Sequence, residues 1–139
     1  TLWTIARAPL MVGGDLPKSD DWTVRLLTNV EALAVNQSSR ANRQLFHANG
    51  LAAWTAVSAD GKRTYIAVFN AADKPAGALE SGIAVPVRLA DLGLAGDVRV
   101  TDVWTGRPAG TFRGEFAPVV PFHGAGLYRL EGEKSRASR

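Results

Sequence analysis

The stretch Leu2-Trp3-Thr4-Ile5-Ala6-Arg7-Ala8-Pro9-Leu10-Met11-Val12-Gly13-Gly14-Asp15-Leu16 decides how the chain is read. Leu2, Trp3, Ile5 and Ala6 fit the inner face of a helix. Pro9 stops that helix, because proline disfavours helical geometry at the residue before it. Leu10-Met11-Val12 is a short apolar run closed by Gly13-Gly14, which suits a strand buried in a parallel sheet. Pro17-Lys18-Ser19-Asp20-Asp21 then reads as a helix start, with Ser19 as N-cap and two acids facing the positive end of the helix dipole. Trp22, Leu26, Val30 and Leu33 follow at helical spacing, with Leu27 beside them, as a broad apolar stripe. Helix, buried strand, helix is one unit of a parallel α/β fold, and one such unit has no neighbouring strands to pair with. Thr1 opens directly in an apolar helical phrase, so the amino terminus reads as a cut through a longer protein.

From about Gln44 the texture changes. Runs rich in Val, Thr, Tyr, Phe and Trp alternate with Gly, Asp and Pro. Leu51–Val57 and Lys62–Asn70 flank Ser58-Ala59-Asp60-Gly61, a hairpin signal. Further strands are expected at 84–89, 97–104, 110–112, 116–120 and 126–130, with a loop over Gly77–Gly82 and a frayed polar tail from Glu131. Many short strands without helices between them argue for an antiparallel sandwich.

Composition bounds the function. The 139 residues are 46% hydrophobic and 21% charged, an ordinary globular balance able to bury a core. No apolar run reaches the roughly 18 residues that a membrane-spanning helix needs. The absence of cysteine excludes disulfides, thiol chemistry and cysteine-ligated zinc. A net charge of +3 is too small and too dispersed to argue for nucleic acid.

Catalytic patterns are sparse. His47 and His123 are the two imidazoles, each near a strand end, and read as surface or half-buried residues bonded to backbone. No metal-ligand motif, nucleophile elbow or P-loop is present, so neither metal nor cofactor is expected. Asp20 and Asp21 read as helix-start charges, and Asp60, Asp73 and Asp97 as turn residues. Asp91 reads as a cap for the turn at Leu92-Gly93-Leu94. Asp102 sits mid-strand, where a bulge or an arginine partner would account for it. Asp15 alone stands at the carboxyl end of an expected parallel strand, where α/β barrels place active-site groups. The competing reading makes it a loop anchor that accepts backbone N–H bonds. Trp54, Tyr65, Trp104 and Tyr128 could stack on sugar rings, but lie in alternating patterns that more often fill a core. No complete catalytic constellation emerges from the residues themselves.

The opening stretch, followed by Leu26-Leu27-Thr28-Asn29-Val30-Glu31-Ala32-Leu33-Ala34-Val35-Asn36-Gln37, resembles the end of the catalytic barrel in family 27 glycoside hydrolases, the α-galactosidases and α-N-acetylgalactosaminidases. Leu51–Trp54, Tyr65–Asn70, Asp102-Val103-Trp104 and His123-Gly124-Ala125-Gly126-Leu127-Tyr128 resemble the C-terminal β-sandwich of bacterial members.

The resemblance implies a mainly β fold: an antiparallel β-sandwich preceded by the last helix-strand-helix piece of a (β/α)8 barrel. Residues 1–41 would be that barrel end, with Leu10–Val12 as the eighth strand and Asp20–Leu33 as the helix after it. Residues 42–132 would be the sandwich, and 133–139 a disordered tail. It also implies a retaining hydrolase of terminal α-galactosides, in which one aspartate attacks and a second serves as acid and base. Both would come from earlier barrel strands, so no catalytic residue transfers to this chain and the chain alone is expected to be inactive. Gly14 and Asp15 are the substrate-binding residues implied, lining the floor or rim of the sugar pocket or bracing it. Carbohydrate is the expected partner, with no nucleic acid and no membrane. The uncovered barrel remnant invites self-association, and the resemblance fits an extracellular or periplasmic setting. The alternative is a non-catalytic module that binds carbohydrate or only supports a neighbour.

Overall fold

A computed structural model describes residues 1–75 and 82–134. The chain begins with a short helix α1 (Leu2–Ile5), a 3-10 turn (Leu16–Lys18), and helices α2 (Asp21–Leu27) and α3 (Val30–Ser38). Ten strands follow: β1 (Arg40–Ala48), β2 (Leu51–Val57), β3 (Thr64–Asn70), β4 (Ile83–Ala84), β5 (Val87–Arg88), β6 (Leu94–Asp102), β7 (Pro108–Phe112), β8 (Glu115–Phe116), β9 (Val119–Val120) and β10 (Gly124–Lys134). Six of them form one antiparallel sheet in the order β1-β2-β3-β10-β6-β7. The short strands pair as two ribbons, β4 with β9 and β5 with β8.

Alternation along β3 shows how the layers stack. Ile66 and Val68 point to one core with Val98, Val100 and Leu130, which the ribbons cover through Val85, Val87, Phe116 and Val120. Tyr65 and Ala67 point to the opposite core with Leu127 and Val103, which α1 and α3 cover through Ile5, Ala32 and Val35. The large sheet is therefore the middle layer of three. Buried Asn70 ties β3 to the ribbons: its Nδ2 donates to the Val120 carbonyl (3.0 Å), and its Oδ1 accepts the Ala72 N–H (3.1 Å). The sheet edges are irregular. β1 carries two register shifts and a left-handed Ala41 (φ 54°), and β7 contains Pro108 and Gly110. Such features discourage pairing with another chain.

The mainly β reading holds, with local differences. The hairpin at Ser58–Gly61 forms as expected: Asp60 Oδ1 accepts from Ser58 Oγ (2.6 Å) and the Lys62 N–H (3.1 Å). β1 was not foreseen. It is a polar edge strand, and its bulges erase the two-residue period. The helix expected over Asp20–Leu33 is two helices. Asp20, not Ser19, caps α2 by accepting the Thr23 N–H (2.7 Å), and Asn29 caps α3 by accepting the Ala32 N–H (2.9 Å). Leu10–Val12 belongs to no strand among the described residues, where no neighbouring parallel strand lies beside it. The expected strand at 84–89 is split into β4 and β5, and its last residue starts a 3-10 turn, Leu89–Leu92. Asp91 sits inside that turn and pairs with Arg88 (3.0 Å). Asp97 lies on β6, not in a turn, and pairs with Arg113 (2.7 Å). Glu133 and Lys134, placed by the sequence in a disordered tail, complete β10 opposite Ala95 and Leu94. The rest of that tail, and the Gly77–Gly82 loop apart from Gly82, lie outside the described residues.

Two outcomes follow from this packing. Asn70→Ala strips the buried Val120 carbonyl of its partner and should cost about 1–3 kcal/mol in urea unfolding. Burial, reinforced by Glu31 beside Tyr65 and Asp102 near Tyr128, pushes both phenols above their ordinary value. The folded state then holds protons that the unfolded chain releases. Stability is full below the unfolded phenol value of about 10 and should fall as pH rises beyond it. Tyr128→Phe should flatten that alkaline loss in melting curves taken across the range.

Candidate functional site

The helical unit is held on the sheet by polar contacts around an apolar seam. Asn29 Nδ2 donates to the Val103 carbonyl (2.8 Å), at the end of β6. Arg129 Nη1 on β10 donates to both carboxylate oxygens of Glu31 (3.1 and 2.9 Å), and the Tyr65 hydroxyl reaches the same carboxylate (3.2 Å). The Arg129–Glu31 pair is largely shielded, each side chain 24% exposed. Arg129 Nε is buried without a hydrogen bond, 3.4 Å from Glu131 Oε2. At the other end of the seam, Trp104 Nε1 donates to Thr1 Oγ1 (2.9 Å).

Away from the seam the unit is apolar and open. Among the described residues, ten of the eleven large exposed hydrophobic side chains fall in the first thirty positions: Leu2, Trp3, Leu10, Met11, Val12, Leu16, Trp22, Val24, Leu26 and Val30. Met11 is 81% exposed and Trp22 63%. A groove of about 690 Å³ runs between α1, the Leu10–Val12 segment and α3, with Trp3, Met11, Leu26 and Leu33 on its walls. Soluble surfaces seldom leave so much contiguous apolar area uncovered without a partner.

The two site residues read from the sequence lie beside this face. Gly14 has open space around it, and Asp15 is exposed and pairs with Lys18 (2.9 Å). Among the described residues no second carboxylate or imidazole pairs with them. The aromatic candidates divide differently: Tyr65 is buried, while Trp54, Trp104 and Tyr128 are half-buried against the cores. Trp104 stands in the turn after β6 rather than in a strand. There Asp102 Oδ1 accepts the Thr105 N–H (2.9 Å), and the strand carries a bulge just before it, between Val100 and Thr101. His47 is exposed on β1, and His123 lies 3.4 Å from Asp73 at an open surface. No three His, Asp or Glu side chains gather as a metal site among the described residues. No helix there is long and apolar enough to cross a membrane. The sequence reading missed Asn29, Glu31 and Arg129. The signal available was Asn29-x-Glu31, an N-cap followed by a first-turn acid, hidden inside a continuous apolar stripe.

If Glu31 and Arg129 hold the layers together, Glu31→Gln should leave the Arg129 charge with Glu131 alone as an ionic partner and lower stability by about 1–3 kcal/mol. Arg129→Met combined with Glu31→Gln should recover part of that loss. Guanidinium unfolding of the three variants measures both.

Comparison with known proteins assigns this architecture. The family described as the alpha galactosidase C-terminal beta sandwich domain matches residues 48–130. The chain is 28% identical over 135 residues to an α-galactosidase of Coffea arabica, covering 94% of this chain and 33% of that protein. A family 27 β-L-arabinopyranosidase from Geobacillus stearothermophilus superposes with a TM-score of 0.82 at 35% identity, over 99% of this chain and 29% of the enzyme. A putative α-N-acetylgalactosaminidase from Bacillus halodurans superposes with a TM-score of 0.83 at 28% identity, over 96% of this chain and 29% of that one. The chain thus spans about a third of the length of the curated relatives it matches. It belongs to the α-galactosidase C-terminal β-sandwich family, and as a whole resembles the C-terminal part of family 27 glycoside hydrolases.

Proposed function

We propose that the chain closes and supports the catalytic barrel of a retaining glycosidase acting on terminal α-galactosides, and that alone it hydrolyses nothing. The observation that carries this reading is the uncovered apolar face of a helical unit that the sheet holds firmly in place. A unit covered on one side and open on the other has the character of an interface. In this reading, residues 1–41 are the end of the barrel and Leu10–Val12 supplies its last strand once neighbours are present. Gly14 and Asp15 then stand at the mouth of the barrel and line the sugar pocket.

Retention needs two carboxyls about 5 Å apart on opposite sides of the bond. Asp15, exposed and bound to Lys18, has no second carboxylate facing it among its described contacts. In this reading the nucleophile and the acid/base are supplied by the barrel strands before residue 1, as in the family it resembles.

The likeness to a β-L-arabinopyranosidase supports testing a second sugar beside the α-galactoside. A β-L-arabinopyranoside has the ring stereochemistry of an α-D-galactoside without the hydroxymethyl group at C5. A pocket of this type accepts either sugar according to what it places around that carbon. The exposed aromatics sit on the helical unit, and those of the sandwich are buried or half-buried, which favours the barrel-supporting role over a free carbohydrate-binding module.

The purified chain should release no nitrophenol from p-nitrophenyl α-galactoside or β-L-arabinopyranoside above a blank. Extended by its upstream reading frame, it should hydrolyse one of them with retention, read by NMR from the first anomer formed. Turnover by the chain alone, or none by the longer protein, would sink the reading. By itself the chain should also self-associate with rising concentration in sedimentation, and Trp22→Ser with Met11→Ser should weaken that association.

A further inference from the structure

Just beyond α1 and its C-cap Ala6 stands a residue with an unusual backbone. Arg7 is left-handed, φ 55°, a conformation a non-glycine residue keeps only when its surroundings hold it. Its guanidinium donates to three main-chain carbonyls at the end of α3: Nε to Asn36 (3.1 Å), Nη2 to Gln37 (2.9 Å) and Nη1 to Ser39 (3.0 Å). A helix end leaves such carbonyls without partners, and the dipole there favours a cation. Asn36 bonds in the opposite direction, its Nδ2 donating to the carbonyls of Trp3 (3.0 Å) and Ala8 (2.8 Å). Asn42 Nδ2 adds a bond to the Ile5 carbonyl (2.7 Å).

Apolar contact between Ile5 and Val35 holds α1 near α3 but leaves the angle between them soft. Six directional bonds remove that freedom. The chain leaves this knot at Ala8 and runs through Pro9, whose φ is fixed by its ring, into Leu10–Asp15. Beyond the knot the guidance loosens until the turn at Leu16–Lys18, where the Lys18 N–H donates to the Asp15 carbonyl (2.9 Å) and which moves with the segment. Leu10–Val12 belongs to no strand, and Gly13 and Gly14 have open space around them. The direction of this segment is therefore set where it begins.

We propose that Arg7 and Asn36 are positioning residues: by fixing the point and direction in which the chain leaves Ala8, they place Leu10–Asp15, and with it the Asp15 carboxylate, in the wall of the sugar pocket. This rests on the reading above that Asp15 lines that pocket. Arg7 and Asn36 touch no substrate and act through the segment they aim. Misplacing a binding group by about an ångström is enough to cost one to two orders of magnitude in rate or affinity.

The test uses a full-length enzyme in which residues 1–139 replace the matching part of the Geobacillus β-L-arabinopyranosidase, assayed on p-nitrophenyl β-L-arabinopyranoside. Arg7→Lys keeps a charge at the helix end but cannot reach three carbonyls, and Asn36→Ala removes the return bonds. Each should raise KM by about tenfold with a smaller change in kcat, as should Asp15→Asn. Added to Asp15→Asn, neither should raise KM further. A residue that only stabilises the fold would reduce the active fraction, lowering apparent kcat at constant KM, and would add to Asp15→Asn; that result overturns the proposal. Arg113→Ala, whose ion pair with Asp97 lies outside the helical unit, should leave both constants unchanged. A folded fusion without turnover sinks the reading of the chain as the end of such an enzyme, and the positioning role with it. An active fusion indifferent to Asp15→Asn overturns the role of Asp15 and its positioning while leaving the family reading intact. In the 139-residue chain itself, NMR order parameters report the same knot. The Leu10 amide should lose order in Arg7→Lys and Asn36→Ala while β3 keeps its own, and unchanged values overturn the proposal.

Discussion

Strands β3 and β10 present apolar side chains on both faces, and that two-sided burial governs the rest of the structure. Ile66, Val68 and Leu130 need one cover, and Tyr65, Ala67 and Leu127 another. An antiparallel sheet commonly leaves one face to water; this one cannot. The short ribbons supply the first cover. The second comes from α1 and α3, so the helical unit is part of the sandwich's stability and not an appendage. Uncovering Ile5, Val35 and Leu127 together would forgo roughly 1.5–3 kcal/mol for each side chain.

The helical unit has a double character for the same reason. Ile5, Ala32 and Val35 face the sheet, while Leu2, Trp3, Leu26 and Val30 face away from it. Residues that are apolar all round an element mark one meant to be buried all round. Polar groups confined to the seam, Asn29, Glu31 and Arg129, give the unit a fixed seat as well as an affinity for it. Apolar area brings layers together and hydrogen bonds select the orientation, since an unmet buried donor costs more than a met one gains.

Legibility in the sequence followed the physics of each element. The hairpin at Ser58–Gly61 was readable because its turn chemistry is local and its strands alternate. The helical character of this unit was readable because Trp22 and Leu26 on α2, and Val30 and Leu33 on α3, keep helical spacing on either side of the break. β1 was not, because Arg40, Arg43 and Gln44 line a solvent-facing edge whose bulges destroy the period. The helix break at Asn29 was masked by the stripe running through it. Gly14 and Asp15 were singled out by position after an apolar run, with no chemistry around them to confirm or refuse the choice. Arg7 and Asn36 could not be paired from the sequence at all. Each bonds to carbonyls, and a carbonyl carries no residue identity for a distant side chain to match.

The irregular rims of the large sheet have a consequence for what becomes of this polypeptide when it is concentrated. Fibrous stacking requires a flat, regular border onto which a neighbouring backbone can zip, and the kinks of β1 and the proline of β7 deny it one. Were molecules to meet through their oily flank, they would touch through side chains rather than through shared ladders. Contacts of that kind would come apart on dilution or in mild detergent, unlike a shared backbone ladder.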